Sequence, residues 1–372
     1  MTVVDADGHV VESEAIFSDL PPEFYPRRPI AVYLPTDTER GDFNGCWIVE
    51  GKTFPSISRR GFTIFSLPDT EGAKRKDVSG GSQTLADVDA RIADLDRLNI
   101  DIQVVFPTLF LAALAEDIKL EAALFRAYNT YVGRACAKSK GRLKWTALIP
   151  FRDPEAAVEE VRRVSDLGAS GIFVMGMVWN RNLGEPDFFP VYEEAGAHDL
   201  PICIHLGWSS PQVTDLFADG QSFFNSATIP VIWGFMSTMG AGLLNRFPKL
   251  RLGFLETGSA WVPYAIQQIR RRAPSRRDGR RSIVSGIDPE YYGDPEEFFR
   301  SGRAFVNCEG DEDFDYLLKH LGEDALMCSS DFPHGDASAE AHFVSNWRKR
   351  TDLPDRVKEK VLGGNAARFF NL

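Results

Sequence analysis

Short apolar runs and longer amphipathic stretches alternate along most of this chain. Eight runs rich in β-branched and other apolar residues stand out: Val3 to Asp7, Ile102 to Pro107, Leu143 to Pro150, Gly171 to Met175, Pro201 to His205, Leu250 to Glu256, Ala304 to Cys308 and Leu326 to Ser330. Between and after them, apolar residues recur at helical spacing over Leu85 to Leu98, Ile118 to Ala137, Pro154 to Leu167, Phe188 to His198, Ala227 to Phe247, Ala260 to Arg272, Phe314 to Leu321 and Ala339 to Arg350. Strands that are apolar on both faces and alternate with helices predict a parallel sheet covered by those helices. Eight such units close into an α/β (β/α)8 barrel, the TIM-barrel architecture. An open doubly wound sheet is the alternative, but no GxGxxG turn supports it.

The rhythm breaks once, between residues 13 and 84, where the first strand should reach its helix within a few residues. This stretch is rich in Pro, Gly and aromatics (Phe17, Phe24, Tyr25, Tyr33, Phe43, Trp47, Phe54, Phe62, Phe65), with strand-like pieces at Ile30 to Leu34 and Trp47 to Val49. It leaves the C-terminal end of a barrel strand and so must start at the rim where barrel enzymes keep their chemistry. The expected organisation is one domain, 1–372, with 13–84 as a cap or lid with an apolar lining. A packing subdomain or an oligomer contact is an equal alternative.

Composition narrows the class without changing the fold. A hydrophobic content of 44% permits a large core. No apolar run approaches the ~18 residues that span a bilayer, and the N-terminus turns charged at once, so a soluble cytoplasmic protein is expected. The balance of 42 Lys+Arg against 53 Asp+Glu, a net charge of −11, argues against nucleic acid and anionic membranes as partners. An arginine cluster (Arg270, Arg271, Arg272, Arg276, Arg277, Arg280, Arg281) could grip phosphates, but reads better as a solvated helix end and loop. The five cysteines (Cys46, Cys136, Cys203, Cys308, Cys328) are odd in number and mostly set in apolar runs, as reduced buried thiols would be.

The chemistry is sought where strands end. The first run ends in Asp5-Ala-Asp7-Gly-His9-Val-Val-Glu12, the fifth at His205, the sixth at Glu256, the seventh at Glu309 and the eighth at Asp331, with His334 three residues on. Asp7 and His9, two apart in extended chain, share a face and suit one metal. Each residue alone has an innocent reading. His205 could be a hydrogen-bonded core histidine, and Glu256 a helix cap. Several carboxylates converging on one barrel mouth would nevertheless repel unless cations or protons neutralised them, so the joint pattern points to metal. His334 suits a hydrogen bond to a ligand first and proton transfer second. Glu309 is either a spare ligand or a solvated loop residue, whereas His198, His320 and His342 fall on helices and read as structural.

Taken together, Asp7-Gly-His9, His205, Asn245-Arg-Phe-Pro-Lys-Leu-Arg251 leading to Glu256-Thr-Gly-Ser-Ala-Trp261, and Ser330-Asp331-Phe-Pro-His334 resemble the metal-dependent amidohydrolases. The branch is the amidohydrolase-related one, which includes aminocarboxymuconate semialdehyde and aromatic-acid decarboxylases. The resemblance implies ligands at Asp7 (where many members have histidine), His9, His205 and Asp331. No bridging lysine is evident from Ala169 to Gly176, so the dinuclear hydrolytic site is not supported.

Asp7, Glu12, Glu256 and Asp331 with His9 and His205 also give four carboxylates and two histidines, the inventory of carboxylate-bridged di-iron sites, and four charges would balance two divalent ions. The string Asp5-x-Asp7-x-His9-x-x-Glu12 resembles a set of TIM-barrel non-haem di-iron monooxygenases of platensimycin and platencin diterpenoid biosynthesis. The leading expectation is therefore a di-iron monooxygenase of secondary metabolism (antibiotic biosynthesis). It would use dioxygen and an external electron donor on an apolar terpenoid or acyl substrate, presented for instance as a coenzyme A thioester. The alternative is a mononuclear zinc or manganese decarboxylase or hydrolase acting on a small carboxylic acid, and a homo-oligomer is compatible with either.

Overall fold

The computed structural model describes residues 2–33, 35, 45–54, 67–68, 78–216, 224–273, 287–335, 340 and 342–372. Its strands are β1 (Val4–Val10), β2 (Ile30–Tyr33), β3 (Gly45–Val49), β4 (Lys52–Phe54), β5 (Ile102–Pro107), β6 (Leu143–Leu148), β7 (Gly171–Met175), β8 (Met177–Val178), β9 (Arg181–Asn182), β10 (Ile202–His205), β11 (Leu252–Leu255), β12 (Ala304–Asn307) and β13 (Leu326–Met327). Eight of them form one sheet in the order β1-β5-β6-β7-β10-β11-β12-β13, every neighbouring pair parallel. The ends meet: the Ala6 amide donates to the Cys328 carbonyl at 3.2 Å and the Asp331 amide to the Asp7 carbonyl at 3.0 Å. The chain is thus an α/β barrel of eight parallel strands, as the apolar rhythm predicts.

Helices enter where an aspartate can cap them. Asp87, Asp117, Asp153, Asp294 and Asp313 each accept a hydrogen bond from a backbone amide of the first turn they precede. The expected helix Ala227 to Phe247 is broken, with one helix ending at Gly240 and another starting at Leu243. Gly242 between them has φ +66°, and a Cβ there would stand 2.4 Å from the Tyr291 carbonyl oxygen. The eighth strand stops at Met327 rather than Ser330, because Ser330 turns to hydrogen-bond Asp5. The first strand runs on to Val10 with a one-residue irregularity, since Asp5 pairs with Gln103 but Gly8 with Val105.

The insertion after β1 carries the antiparallel sheet β2-β3-β4. Phe17 and Trp47 are buried edge to face at 6.0 Å, and Arg27 pairs with Asp117 at the head of helix Ile118–Ala137. The Glu116 amide donates to Glu50 at 2.8 Å. The described part of the insertion therefore packs beside the loop that follows β5, at the C-terminal end of that strand. Tyr25 and Tyr33 are exposed, whereas Phe43, Phe62 and Phe65 of the expected apolar lining lie outside the described residues. In the arginine cluster, Arg270 pairs with Asp294 and Glu296; Arg276, Arg277, Arg280 and Arg281 also lie outside the described residues. All five cysteines are buried and free. Among the described residues no helix is long and apolar enough to cross a membrane.

Gly8 shows how tightly β1 is fitted. A Cβ there would fall 2.1 Å from Gln103 Nε2, and Gln103 is itself buried and held by Asp5 and Arg91. Gly8→Ala should therefore destabilise the fold by about 1–3 kcal/mol. Gly310→Ala, where a Cβ meets nothing within 4 Å, should be nearly neutral. Urea unfolding of the two variants side by side checks this, and equal midpoints would contradict it.

Candidate metal centre

Four strand ends, those of β1, β10, β11 and β13, deliver side chains to one buried point. His9 donates from Nδ1 to the Pro107 carbonyl at 2.9 Å, and His205 from Nδ1 to the Leu206 carbonyl at 2.8 Å. Both bonds fix the tautomer and leave the two Nε2 lone pairs pointing inward. His9 Nε2 is 3.5 Å from Asp7 Oδ1, 3.2 Å from Asp331 Oδ1 and 3.8 Å from Glu256 Oε2. His205 Nε2 is 3.1 Å from Asp7 Oδ1 and 3.3 Å from Glu256 Oε2. Of these residues Glu256 alone is partly exposed; His9 and His205 are wholly buried.

Backbone conformation contributes to the aim of the two later carboxylates. Glu256 and Asp331 both sit at positive φ, +56° and +55°, just past their strands. A left-handed residue costs on the order of 1–3 kcal/mol and persists where surrounding contacts over-determine it. Glu312 supplies part of that hold on the Glu256 turn by accepting from the Ser259 amide at 2.7 Å, the Ser259 hydroxyl at 2.8 Å and the Ala260 amide at 2.6 Å. His334 Nδ1 lies 2.8 Å from Asp331 Oδ1, while His334 Nε2 lies 2.9 Å from the Thr108 hydroxyl and its ring stacks on His9 at 4.1 Å.

Electrostatics match a cation site. Burial pushes the Asp7 carboxyl up, opposed by His205, and drives His9 well below its ordinary value, so His9 is neutral and able to donate a lone pair. Its Nε2 is buried without a hydrogen-bond partner, which is costly unless something electrophilic takes that lone pair. The donor atoms of Asp7, His9, His205 and Glu256 all lie within 4.8 Å of one another. Bonds of about 2.0–2.2 Å around a single ion place adjacent donors roughly 3–3.5 Å apart, close to the spacings here. The residues present therefore fit one divalent ion.

Glu12 corrects the expected ligand set. Its two oxygens accept from the Thr108 amide at 3.0 Å and the Leu109 amide at 2.6 Å, which caps the short turn Leu109–Leu111. Two residues past the end of the paired part of β1, the chain has turned away, so the carboxylate that completes a two-ion inventory is committed elsewhere; burial raises it to about 7. Glu309 stands exposed at the mouth, outside the cluster. Surrounding protein still strips much of its hydration and, together with Glu312, Asp311, Asp331 and Asp7, pushes it up to about 7.

Sequence reasoning missed the residues that hold the ligands. Asp5 accepts from the Ser330 amide (2.8 Å), the Ser330 hydroxyl (2.5 Å) and Gln103 (2.7 Å), with burial raising it to about 6. Arg91, wholly buried, donates to Gln103 (3.0 Å), the His9 carbonyl (2.6 Å) and the Phe332 carbonyl (3.1 Å). The signal was present: Val88, Arg91, Leu95 and Leu98 form the buried stripe of their helix, so Arg91 occupies an apolar position. Asn307 reaches Asp7 Oδ2 at 3.4 Å.

The family pattern described as amidohydrolase matches residues 4–372 of this sequence. The chain belongs to the amidohydrolase family. Among curated relatives, the 2-amino-3-carboxymuconate-6-semialdehyde decarboxylase of Dictyostelium discoideum is 24% identical over 77% of this chain and 77% of its own length. The gamma-resorcylate decarboxylase of Polaromonas sp. is 24% identical over 76% of this chain and 87% of its own. An amidohydrolase from Mycobacterium avium subsp. paratuberculosis superposes with TM-score 0.78 at 21% identity, covering 100% of this chain and 98% of that one. The 5-carboxyvanillate decarboxylase of Novosphingobium aromaticivorans, solved with manganese and 4-hydroxy-3-methoxy-5-nitrobenzoic acid, does so at 0.69 and 18%, covering 100% and 96%. These relatives overturn the expectation of a di-iron monooxygenase. With it go the two irons, the dioxygen, the electron donor and the terpenoid or coenzyme A-linked substrate, and Glu12 gives the physical reason.

For this amidohydrolase, Glu256→Gln should weaken binding of manganese at least tenfold, because it removes charge and an oxygen donor from the cluster. Glu12→Gln should leave manganese affinity within twofold and lower stability by about 1 kcal/mol, since one backbone amide loses its acceptor. Titration of both metal-stripped variants, alongside unfolding, tests the assignment; a large affinity loss in Glu12→Gln would return that residue to the site.

Proposed function

We propose that the chain is a divalent-metal-dependent decarboxylase of a small aromatic carboxylic acid, with manganese or zinc held by Asp7, His9, His205, Asp331 and Glu256. The observation that carries this reading is the one-ion size of the buried donor cluster. The decarboxylase names of the curated relatives support the reaction and the acid class. Oxygen and imidazole donors without thiolate suit either metal.

When bound, the ion supplies positive charge that anchors the substrate carboxylate and stabilises negative charge as it develops. The chain's own residues do the rest. Phe106, stacked 5.0 Å from His205, and Phe173, 5.5 Å from it, give the cluster an apolar flank against which an aromatic ring can lie. Loss of carbon dioxide breaks the carbon–carboxyl bond and leaves its electron pair on the ring carbon, which must take up one proton. We assign that proton to Glu309, whose carboxyl, raised to about 7 by burial and the neighbouring carboxylates, keeps a proton near neutrality. His334, between Asp331 and Thr108, holds the Asp331 carboxylate in place.

The manganese-loaded protein should release carbon dioxide anaerobically from a hydroxybenzoate-type acid, without consuming oxygen. Because the protonated form of Glu309 is the working one, activity should hold at lower pH and fall as pH rises through the titration of this carboxyl, which burial and Glu312 raise above the ordinary carboxylate range. Glu309→Gln should lower kcat by roughly 10²–10⁴ and abolish that alkaline limb. A pH profile whose limb survives in Glu309→Gln would remove Glu309 as the acid; oxygen-dependent turnover would sink the decarboxylase reading itself.

A further inference from the structure

A cavity lies beside the metal cluster, between the C-terminal ends of β6 and β7 and the helix Ile118–Ala137. Phe110, Phe125, Phe151, Phe173, Met175 and Trp179 supply much of its wall. Its roof is built by two loops crossing above the strands: the Trp208 amide donates to the Leu111 carbonyl at 2.6 Å and the Ala113 amide to the Trp208 carbonyl at 3.1 Å. Gly207 permits the crossing, since a Cβ there would stand 2.7 Å from the Leu111 oxygen and 2.8 Å from Met175 Sδ. The cavity and the metal cluster share a wall. Phe173 lines the cavity while its ring sits 5.5 Å from that of His205, and Met175 is the register partner of His205.

Among the described residues, the one charged side chain on the lining, Glu121, is neutralised by Arg152 behind it. Arg152 grips Glu121 with two bonds, Nε to Oε1 at 2.9 Å and Nη2 to Oε2 at 2.8 Å, and gives its other bonds to the Ala115 and Glu116 carbonyls. Trp179 donates to Glu121 at 3.2 Å and lies under the Arg152 guanidinium at 4.3 Å. To do so Trp179 adopts φ +54°, a costly conformation for a bulky residue and one that clusters at ligand sites. A ligand here meets carbon, sulfur and a closed ion pair, so the cavity favours a neutral apolar group.

We propose that this cavity is a specificity subsite that receives an apolar substituent of the acid whose carboxylate lies at the metal cluster. The acid's identity rests on the decarboxylase reading; the cavity's preference for apolar groups does not. Burial of each methylene should tighten binding about fourfold, so an ethyl group gains on the order of tenfold.

Two fillings of the cavity from different sides, Ala113→Leu in the roof and Met177→Trp in the wall, test this with the zinc-loaded protein. Calorimetry with ethylbenzene as the probe should show binding to the wild type that weakens at least tenfold in each variant. With manganese, the ratio of kcat/KM for an ethyl-substituted to an unsubstituted hydroxybenzoate should fall about tenfold in both. Thermal unfolding identifies a variant that fails to fold, and the other then decides. No ethylbenzene binding to the wild type, equal binding in all three proteins, or an unchanged ratio overturns the subsite. Ethylbenzene binding lost in the variants, with no acid decarboxylated by any of them, upholds an apolar site and overturns the decarboxylase reading instead.

Discussion

Three carboxylates and two imidazoles crowded into a dry barrel mouth cannot stand unaided. Two like charges about 4 Å apart repel by about 4 kcal/mol even at an effective dielectric of 20, and burial adds a hydration loss for each. Protonation can relieve part of this, and the rise of the Asp7 carboxyl is that tendency at work. The neutral, unpartnered His9 Nε2 cannot be relieved that way without charging an imidazole that burial keeps neutral. A divalent cation satisfies both demands together, and much of the architecture reads as a means of holding these five side chains ready for it.

That hold runs through the backbone below the site. Asp5, one alternation before Asp7 on β1, grips Ser330, one residue before Asp331, so the first and last strands of the barrel are clamped at the same height as the ligands. Gln103 and the buried Arg91 extend the clamp to β5 and to the carbonyls of His9 and Phe332. A polar network wholly inside a protein is favourable only when its members are paired, which is why a glutamine, an arginine and an aspartate share one buried contact. Closure of the barrel and aim of the ligands are thus one arrangement.

Much of this was legible in the chain because period and position carry it. Buried parallel strands advertise themselves as apolar runs, and the first residue past each run is where a barrel presents its chemistry, so Asp7, His9, His205, Glu256 and Asp331 could be named together. Glu12 was misplaced for the same reason: counting along an extended strand continues the pattern, whereas the chain turns after Val10 and spends that carboxylate on two backbone amides. The expected chemistry followed the error, since a fourth carboxylate made two ions look balanced. Arg91 and Gln103 were invisible as partners, although Arg91 broke its helix's apolar stripe, because pairing across 82 or 12 residues is a property of closure rather than of local spacing. The side cavity was equally out of reach, being made where two loops cross.

The central claim is that this cluster holds a single divalent ion. Anomalous diffraction from crystals of the manganese-loaded protein measures it directly. One peak per chain is predicted, in bonding contact with His9 Nε2, His205 Nε2 and carboxylate oxygens drawn from Asp7, Glu256 and Asp331. Two peaks per chain, or a peak coordinated by Glu12, would contradict the account.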